Sequence, residues 1–303
     1  MTLGKIIHHT LRINDPEASL DFYQNKLGMH LIHKEEQLID GRPEQSFYLS
    51  FRPKLSPSQP LSEHANTLLK LVYQDGAPAK VPSLKPDQKD GYWKIGITLE
   101  DVDLGRDALL NAGISVTEPK QFRDIGYLCH LSDPDGHSIE LLQHRFAQNH
   151  QSIPPNPAYQ LLSKPTFGQI TLRVKDIEKS LRFYQEGLGM RLLSRQLVEP
   201  YRFTLYFLAY TDDEIPFADI DYVGNREWLW QRPYTTLELQ HVWGTEDSDF
   251  TYRVGSDTGF EGMGIGVPDL NKTIDNCTNI GLEVENPTVH DPDRYQIQLH
   301  QLS

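Results

Sequence analysis

The sequence predicts an α+β chain built from four βαβββ modules, two in each of two tandem copies. Three observations predict it. Residues 15–24, Asp-Pro-Glu-Ala-Ser-Leu-Asp-Phe-Tyr-Gln, return without a gap at 176–185 as Asp-Ile-Glu-Lys-Ser-Leu-Arg-Phe-Tyr-Gln. The same offset carries Arg12 onto Arg173, Leu27-Gly28-Met29 onto Leu188-Gly189-Met190, and Leu31 onto Leu192. A second series, Ile95-Gly96-Ile97, Ala112-Gly113 and Asp133-Pro134-Asp135, returns as Met263-Gly264-Ile265, Ile280-Gly281 and Asp291-Pro292-Asp293. Between the copies, residues 147–166 place Pro154, Pro155, Pro157 and Pro165 among polar residues, the composition of an extended linker. The expected domains are therefore 1–146 and 167–303.

Taken in order, the first module opens with a strand over 6–13 that ends at Asn14-Asp15-Pro16, a helix start with proline just inside it. Leu20, Phe22, Tyr23 and Leu27 recur at helical spacing, and Gly28 supplies the left-handed stop. Strands are expected at 30–35, 45–51 and 67–73. The second module repeats the order, with a strand at 94–99, a helix at 103–112 stopped by Gly113, and strands around Ser115, Leu128 and Ile139. Phe22-Tyr23 and Phe183-Tyr184 read as helix-packing core. Trp228 and Trp230, in an acid-rich loop, read either as a ligand cover or as a satellite hydrophobic cluster.

Composition narrows the partners. Hydrophobic residues at 38% and charged residues at 23% describe a globular chain, and no run approaches the roughly 20 apolar residues of a membrane span. The opening residues lack an apolar core of signal-peptide length, so a cytoplasmic protein is expected. Cys129 and Cys277 sit in opposite halves, which suits free thiols in a reducing compartment. A formal charge of −13 repels phosphate backbones, so a nucleic-acid partner is not expected. A small molecule is the expected partner.

The third module carries the most specific motifs: Gln169-Ile-Thr-Leu-Arg173-Val-Lys-Asp, Ser180-Leu-Arg-Phe-Tyr184, Phe203-Thr-Leu-Tyr-Phe-Leu-Ala-Tyr210, Thr236-Leu-Glu238-Leu and Trp243-Gly-Thr-Glu-Asp247. In these the chain resembles glyoxalase I of the vicinal oxygen chelate superfamily, in its fused two-domain, gene-duplicated form. That resemblance implies modules paired into half-open barrels, two with three and one with four, within a monomer of internal pseudo-twofold symmetry. It also implies one divalent metal (Zn²⁺ or Ni²⁺) per barrel, ligated from the first and last strand of each paired module. Carried over residue by residue, the first site is Gln169, Glu238, Glu140 and Lys94, and the second is His8, Lys70, Gly262 and Gln298. Lys94 and Gly262 stand where the family has histidine. A lysine ligates only when deprotonated and glycine has no side chain, so weak or absent metal is expected, with at most one working site. The second barrel is also expected to lack a carboxylate pair.

The implied activity is lactoylglutathione lyase, which isomerises the hemithioacetal of glutathione and methylglyoxal to a 2-hydroxyacyl thioester and so detoxifies methylglyoxal. It needs a base for a carbon-bound proton and a cation for the enediolate oxygens. Glu140 and Glu238, each flanked by apolar strand neighbours, are the catalytic candidates. Lys94 between them could itself neutralise both carboxylates in a buried triad. Arg173 and Arg12 match the family's glutathione-binding arginine. Val242 replaces an expected asparagine, and Asp90 and Thr258 replace expected arginines, which weakens the tripeptide clamp. Two other readings stay open: a diverged enzyme of the same scaffold acting on another small oxo compound, and a non-catalytic binding protein that has lost its metal.

Overall fold

The computed structural model describes residues 3–39, 41–53, 56, 58, 60–77, 89–122, 125–146, 162–282, 284–285 and 287–303. Module one is β1 (Lys5–Arg12), α1 (Pro16–Leu20), β2 (His30–Ile39), β3 (Arg42–Ser50) and β4 (Leu68–Gln74). Module two is β5 (Tyr92–Leu99), α2 (Val102–Asn111), β6 (Lys120–Phe122), β7 (Gly126–Ser132) and β8 (Ser138–Gln143). Module three is β9 (Thr166–Val174), α3 (Ile177–Arg182), β10 (Arg191–Val198), β11 (Phe203–Ala209), an inserted α4 (Val223–Leu229) and β12 (Thr236–Val242). Module four is β13 (Phe260–Val267), α5 (Leu270–Asn279), β14 (Val284–Glu285), β15 (Thr288–His290) and β16 (Gln296–Gln301).

The strands form two eight-stranded sheets, and each draws on both halves of the chain. Sheet I has the order β14-β15-β16-β13-β1-β4-β3-β2, and sheet II the order β10-β11-β12-β9-β5-β8-β7-β6. Modules one and four thus share sheet I, and modules two and three share sheet II, joined by the antiparallel seams β1–β13 and β5–β9. Within each module the first and last strands pair in parallel, which brings their inward side chains side by side.

Helix starts follow the sequence. The Asp15 side chain accepts from the backbone N–H groups of Glu17 and Ala18, with Pro16 in the first turn, and Asp101, Asp176 and Asp269 cap their helices in the same way. Gly28 and Gly113 take positive φ, as their stops require. Both repeated helices widen into a π-helical last stretch, 21–26 and 183–187, at the buried Phe-Tyr pairs. The repeated Asp-Pro-Asp turns latch the modules together. Tyr23 Oη donates to Asp133 Oδ2 at 2.9 Å and Tyr184 Oη to Asp291 Oδ2 at 3.0 Å. Asn14 N–H donates to Asp135, and Lys175 N–H to Asp293.

One sequence expectation is overturned and two others are narrowed. Ser115 lies outside any strand: Thr117 alone reaches His130, and the ladder starts after Pro119, which has no N–H to give. Of the two readings open for the tryptophans the structure shows the satellite cluster: Trp228 lies on α4 and packs against it, and Trp230 is buried in it against Phe146 over sheet II. Most of the segment read as a linker, 147–161, lies outside the described residues, while Leu162 and Ser163 are buried and Ser163 receives the N–H groups of Glu100 and Asp101. Both cysteines are free and buried. Among the described residues no helix is long and apolar enough to cross a membrane.

Candidate functional site

Four adjacent strands of sheet II, β12-β9-β5-β8, build the site, and their register decides which side chains meet. Gly96 lies opposite both Gln169 and Glu140, while Thr171 lies opposite both Glu238 and Lys94. A Cβ on Gly96 would stand 2.8 Å from the Gln169 Cβ, so this glycine makes the room for the Gln169 side chain. A bulge between Tyr92 and Lys94 adds Trp93 as an extra residue. Lys94 Nζ and the Arg173 guanidinium lie 4.3 and 4.8 Å from the centre of its ring.

Lys94, Glu140, Gln169 and Glu238 are all buried, and they make two contacts. Lys94 Nζ lies 2.6 Å from Glu140 Oε1, and Gln169 Nε2 donates to Glu238 Oε2 at 2.6 Å. His130, opposite Glu140 on β7, reaches the same Glu140 oxygen at 3.0 Å. Burial alone would raise the Glu140 pKa, but Lys94 and then His130 outweigh it and bring it down to about 2. Glu238 goes the other way. Burial pushes it up to about 7, the Glu140 charge adds to the push, and Lys94 opposes it. Gln169 Oε1 and Glu238 Oε1 are buried acceptors with no hydrogen-bond partner.

A cavity of about 770 Å³ lies beside this cluster, lined by Trp93, His130, Ser132, Ser138 and Arg173 among others. The four buried residues do not line it, and His130 stands between Glu140 and the open space. Arg173 is fixed there by Gln240 Oε1 at 3.0 Å and the Asp90 carbonyl at 2.8 Å. Asp90, where an arginine was expected, instead receives an arginine from a distant segment: Arg253 Nη2 lies 2.7 Å from its Oδ1.

The second set of residues gathers on sheet I around a cavity of about 160 Å³ lined by His8, Arg12, Lys70, Gly262 and Gln298. Burial pushes His8 down to about 3, with Lys70 and His300 adding to the effect, so the ring is neutral. Gly264 repeats the role of Gly96, since a Cβ there would lie 2.3 Å from His8 Nε2. Gly262 has φ +115, and a Cβ on it would meet the Gln296 carbonyl oxygen at 2.4 Å. Lys70 lies over the Tyr48 ring and 3.9 Å from Glu35. The expectation of no carboxylate pair here is overturned. Glu44 and Glu261 flank Arg12 at 3.5 and 2.7 Å, with Glu261 in the bulge position that Trp93 holds in sheet II. Arg12 is therefore bound within this ion cluster, on the opposite sheet from Arg173.

The donor set in sheet II, as it stands, does not fit a divalent metal. The Lys94 ammonium has no lone pair to offer and spans to Glu140, while Gln169 turns its NH₂ group, not its oxygen, to Glu238. Among the described residues no three His, Cys, Asp or Glu side chains gather into a metal-holding group. The triad expected around Lys94 resolves into a Lys94–Glu140 pair beside a separate Gln169–Glu238 pair. His130, Trp93 and Arg253 were not picked out from the sequence. His130 was within reach, because pairing β7 back from the Asp133-Pro134-Asp135 turn sets it opposite Glu140. Trp93 depends on a bulge and Arg253 on a long-range contact, and neither leaves a local pattern.

The family model described as the Glyoxalase/Bleomycin resistance protein/Dioxygenase superfamily matches residues 5–141 and 166–298. A protein named glyoxalase I from Saccharomyces cerevisiae is 28% identical over 265 residues, covering 83% of this chain and 74% of that one. A lactoylglutathione lyase from Schizosaccharomyces pombe is 28% identical over 322 residues, covering 99% and 97%. The crystal structure of glyoxalase I from Zea mays superposes with a TM-score of 0.66 at 22% identity, covering 98% of this chain and 92% of that one, a likeness of fold.

Proposed function

The chain belongs to the glyoxalase/bleomycin resistance protein/dioxygenase superfamily, and from that premise we propose that it is a glyoxalase I-like lyase with one working site, in sheet II. Its substrate is the hemithioacetal that glutathione forms with an α-ketoaldehyde such as methylglyoxal, and its product the 2-hydroxyacyl thioester. Relatives named glyoxalase I and lactoylglutathione lyase, matched over most of the chain, support the reaction class. The observation that carries the choice of site is the split between its two buried carboxylates. Glu140 is held ionised by Lys94 and His130, while Glu238, pushed up to about 7, keeps one oxygen unpartnered and suits a base working near neutral pH. The glutathione end of the substrate occupies the cavity of about 770 Å³, with Arg173 and His130 at its wall, and the reacting end has to pass His130 to reach the buried carboxylates beside that cavity. Divalent metal is bound weakly or not at all, and glutathione is held by fewer arginines than the resemblance implies.

Glu238 takes the carbon-bound proton next to the carbonyl. Glu140 keeps Lys94 in place, and burial keeps water from competing for the base. The site in sheet I does no chemistry, because both of its carboxylates, Glu44 and Glu261, are engaged by Arg12 and neither is left as a base. Conversion of the methylglyoxal–glutathione hemithioacetal, followed in wild type, Glu238→Gln and Gln298→Ala, tests the proposal. Glu238→Gln is expected to lower kcat ~100-fold or more, the scale of a lost general base, with Gln298→Ala near wild type. Equal losses from both substitutions would sink the assignment to one sheet.

A further inference from the structure

We propose that the Lys94 ammonium is the resident cation of the sheet II site, standing in for a divalent metal and stabilising the charge on an enediolate-forming substrate. This rests on the reaction proposed above and assigns it a metal-independent course. Three observations support it. Lys94 projects inward from the central seam of the sheet with only 6% of its side chain exposed, and its Nζ sits 2.6 Å from Glu140 Oε1. Its partners among the described residues are that carboxylate and the Trp93 ring, which leaves N–H groups of the ammonium for substrate oxygens. Beside it, Gln169 Oε1 and Glu238 Oε1 are buried acceptors without donors. A cation next to two unsatisfied acceptors matches a substrate with vicinal oxygens, one gaining negative charge and one bearing a hydroxyl proton. The chemical class is thus an α-hydroxy carbonyl or its sulfur analogue.

The step balances without an oxidant or a metal. The C–H bond next to the carbonyl breaks and its proton forms an O–H bond on Glu238. The electron pair forms a C=C bond as the carbonyl π pair moves onto oxygen, where the Lys94 N–H groups hold it. Return of that proton from Glu238 to the former carbonyl carbon, with the neighbouring hydroxyl proton passing to the enolate oxygen beside it, moves the carbonyl by one position, and Lys94 ends with the protons it began with.

Calorimetric titration of the chelator-treated full chain with Zn²⁺, for wild type, Lys94→His and Lys94→Gln, reads the cation's place directly. Hemithioacetal turnover of the same samples reads the reaction. Wild type is expected to show no one-to-one Zn²⁺ site at a Kd on the order of 1 µM, and Lys94→His is expected to gain one. Chelation should leave wild-type turnover unchanged, while Lys94→Gln should lower it ~100-fold, the scale of a lost charge-stabilising donor. A tight Zn²⁺ site in wild type, turnover that chelation abolishes and Zn²⁺ restores, or a Lys94→His chain that gains no site, each overturns the proposal. Absence of turnover from every sample, metal-loaded Lys94→His included, would remove the proposed reaction, and with it this course, while the calorimetry still decides which cation the site holds. The wild-type titration does not depend on any variant folding.

Discussion

Glu140 and Glu238 are the same functional group on one sheet, and their neighbours drive them in opposite directions. Glu140 has an ammonium at 2.6 Å and an imidazole at 3.0 Å, whereas Glu238 has the neutral amide of Gln169. Taking a carboxylate out of water costs several kcal/mol, and the nearby cation offsets that cost for Glu140 far more than for Glu238. This sets a pH dependence with a definite sign. Glu238 has its folded pKa raised from 4.5 to about 7, so between those values the folded state holds more protons than the unfolded state. Stability therefore falls as pH rises through that window, by up to ~3 kcal/mol at 1.4 kcal/mol per unit, and is unaffected below it. Turnover that needs ionised Glu238 should rise over the same range. Urea unfolding of Glu238→Gln against wild type is expected to show equal stability at pH 4 and a more stable variant at pH 8. A variant equally stable with wild type at both values would contradict the assignment. These acidic strand positions were legible in the sequence through the resemblance to the family, since a glutamate between apolar strand neighbours by itself more often faces solvent. Their opposite charge states were not, because those depend on His130 from a neighbouring strand and on burial that only the folded sheets produce.

At the scale of elements, the two sheets use one backbone plan with different side chains. In each, a glycine on the seam strand, Gly96 or Gly264, clears space for the inward residue opposite, Gln169 or His8. In each, a seam bulge adds one residue, Trp93 under Arg173 in sheet II and Glu261 beside Arg12 in sheet I. The sequence exposed the repeat, the helix caps and the Asp-Pro-Asp turns, since each is a local pattern. The bulges escaped it, as did the extended stretch at Ser115 that replaces an expected strand. Gly262 shows what the sheet I bulge forbids. Its φ of +115 and the Gln296 carbonyl oxygen 2.4 Å from a built Cβ leave no place for any side chain. Gly262→Ala is expected to cost ~1–3 kcal/mol from backbone strain alone, seen as a lower urea midpoint. Gly262→His should likewise destabilise the chain and create no metal site, in contrast to Lys94→His. An unchanged midpoint for Gly262→Ala would mean that the seam relaxes freely there.

At the scale of the whole molecule, neither sheet belongs to one half of the chain. The first half contributes β1 and β5, the second β9 and β13, and among the described residues each sheet is continued across its middle by a strand from the other half. Each Asp-Pro-Asp turn also ties a helix-bearing module of one sheet to its partner module of the other, through Tyr23 with Asp133 and Tyr184 with Asp291. Two seams and two latches therefore close on each other within a single chain, and the expected state in solution is a monomer. Cutting the chain between the halves would leave β1 and β5 as eight-residue edges with unpaired backbone groups, which pair with whatever strand is offered. Light scattering of the intact chain is expected to give the mass of one chain, 34.8 kDa. The first half expressed alone should self-associate through the exposed seams or aggregate, and adding the second half should rescue a one-to-one complex. An intact chain that scatters at about twice its own mass, together with halves that stay monomeric and folded alone, would show that the seams are not what holds the molecule together.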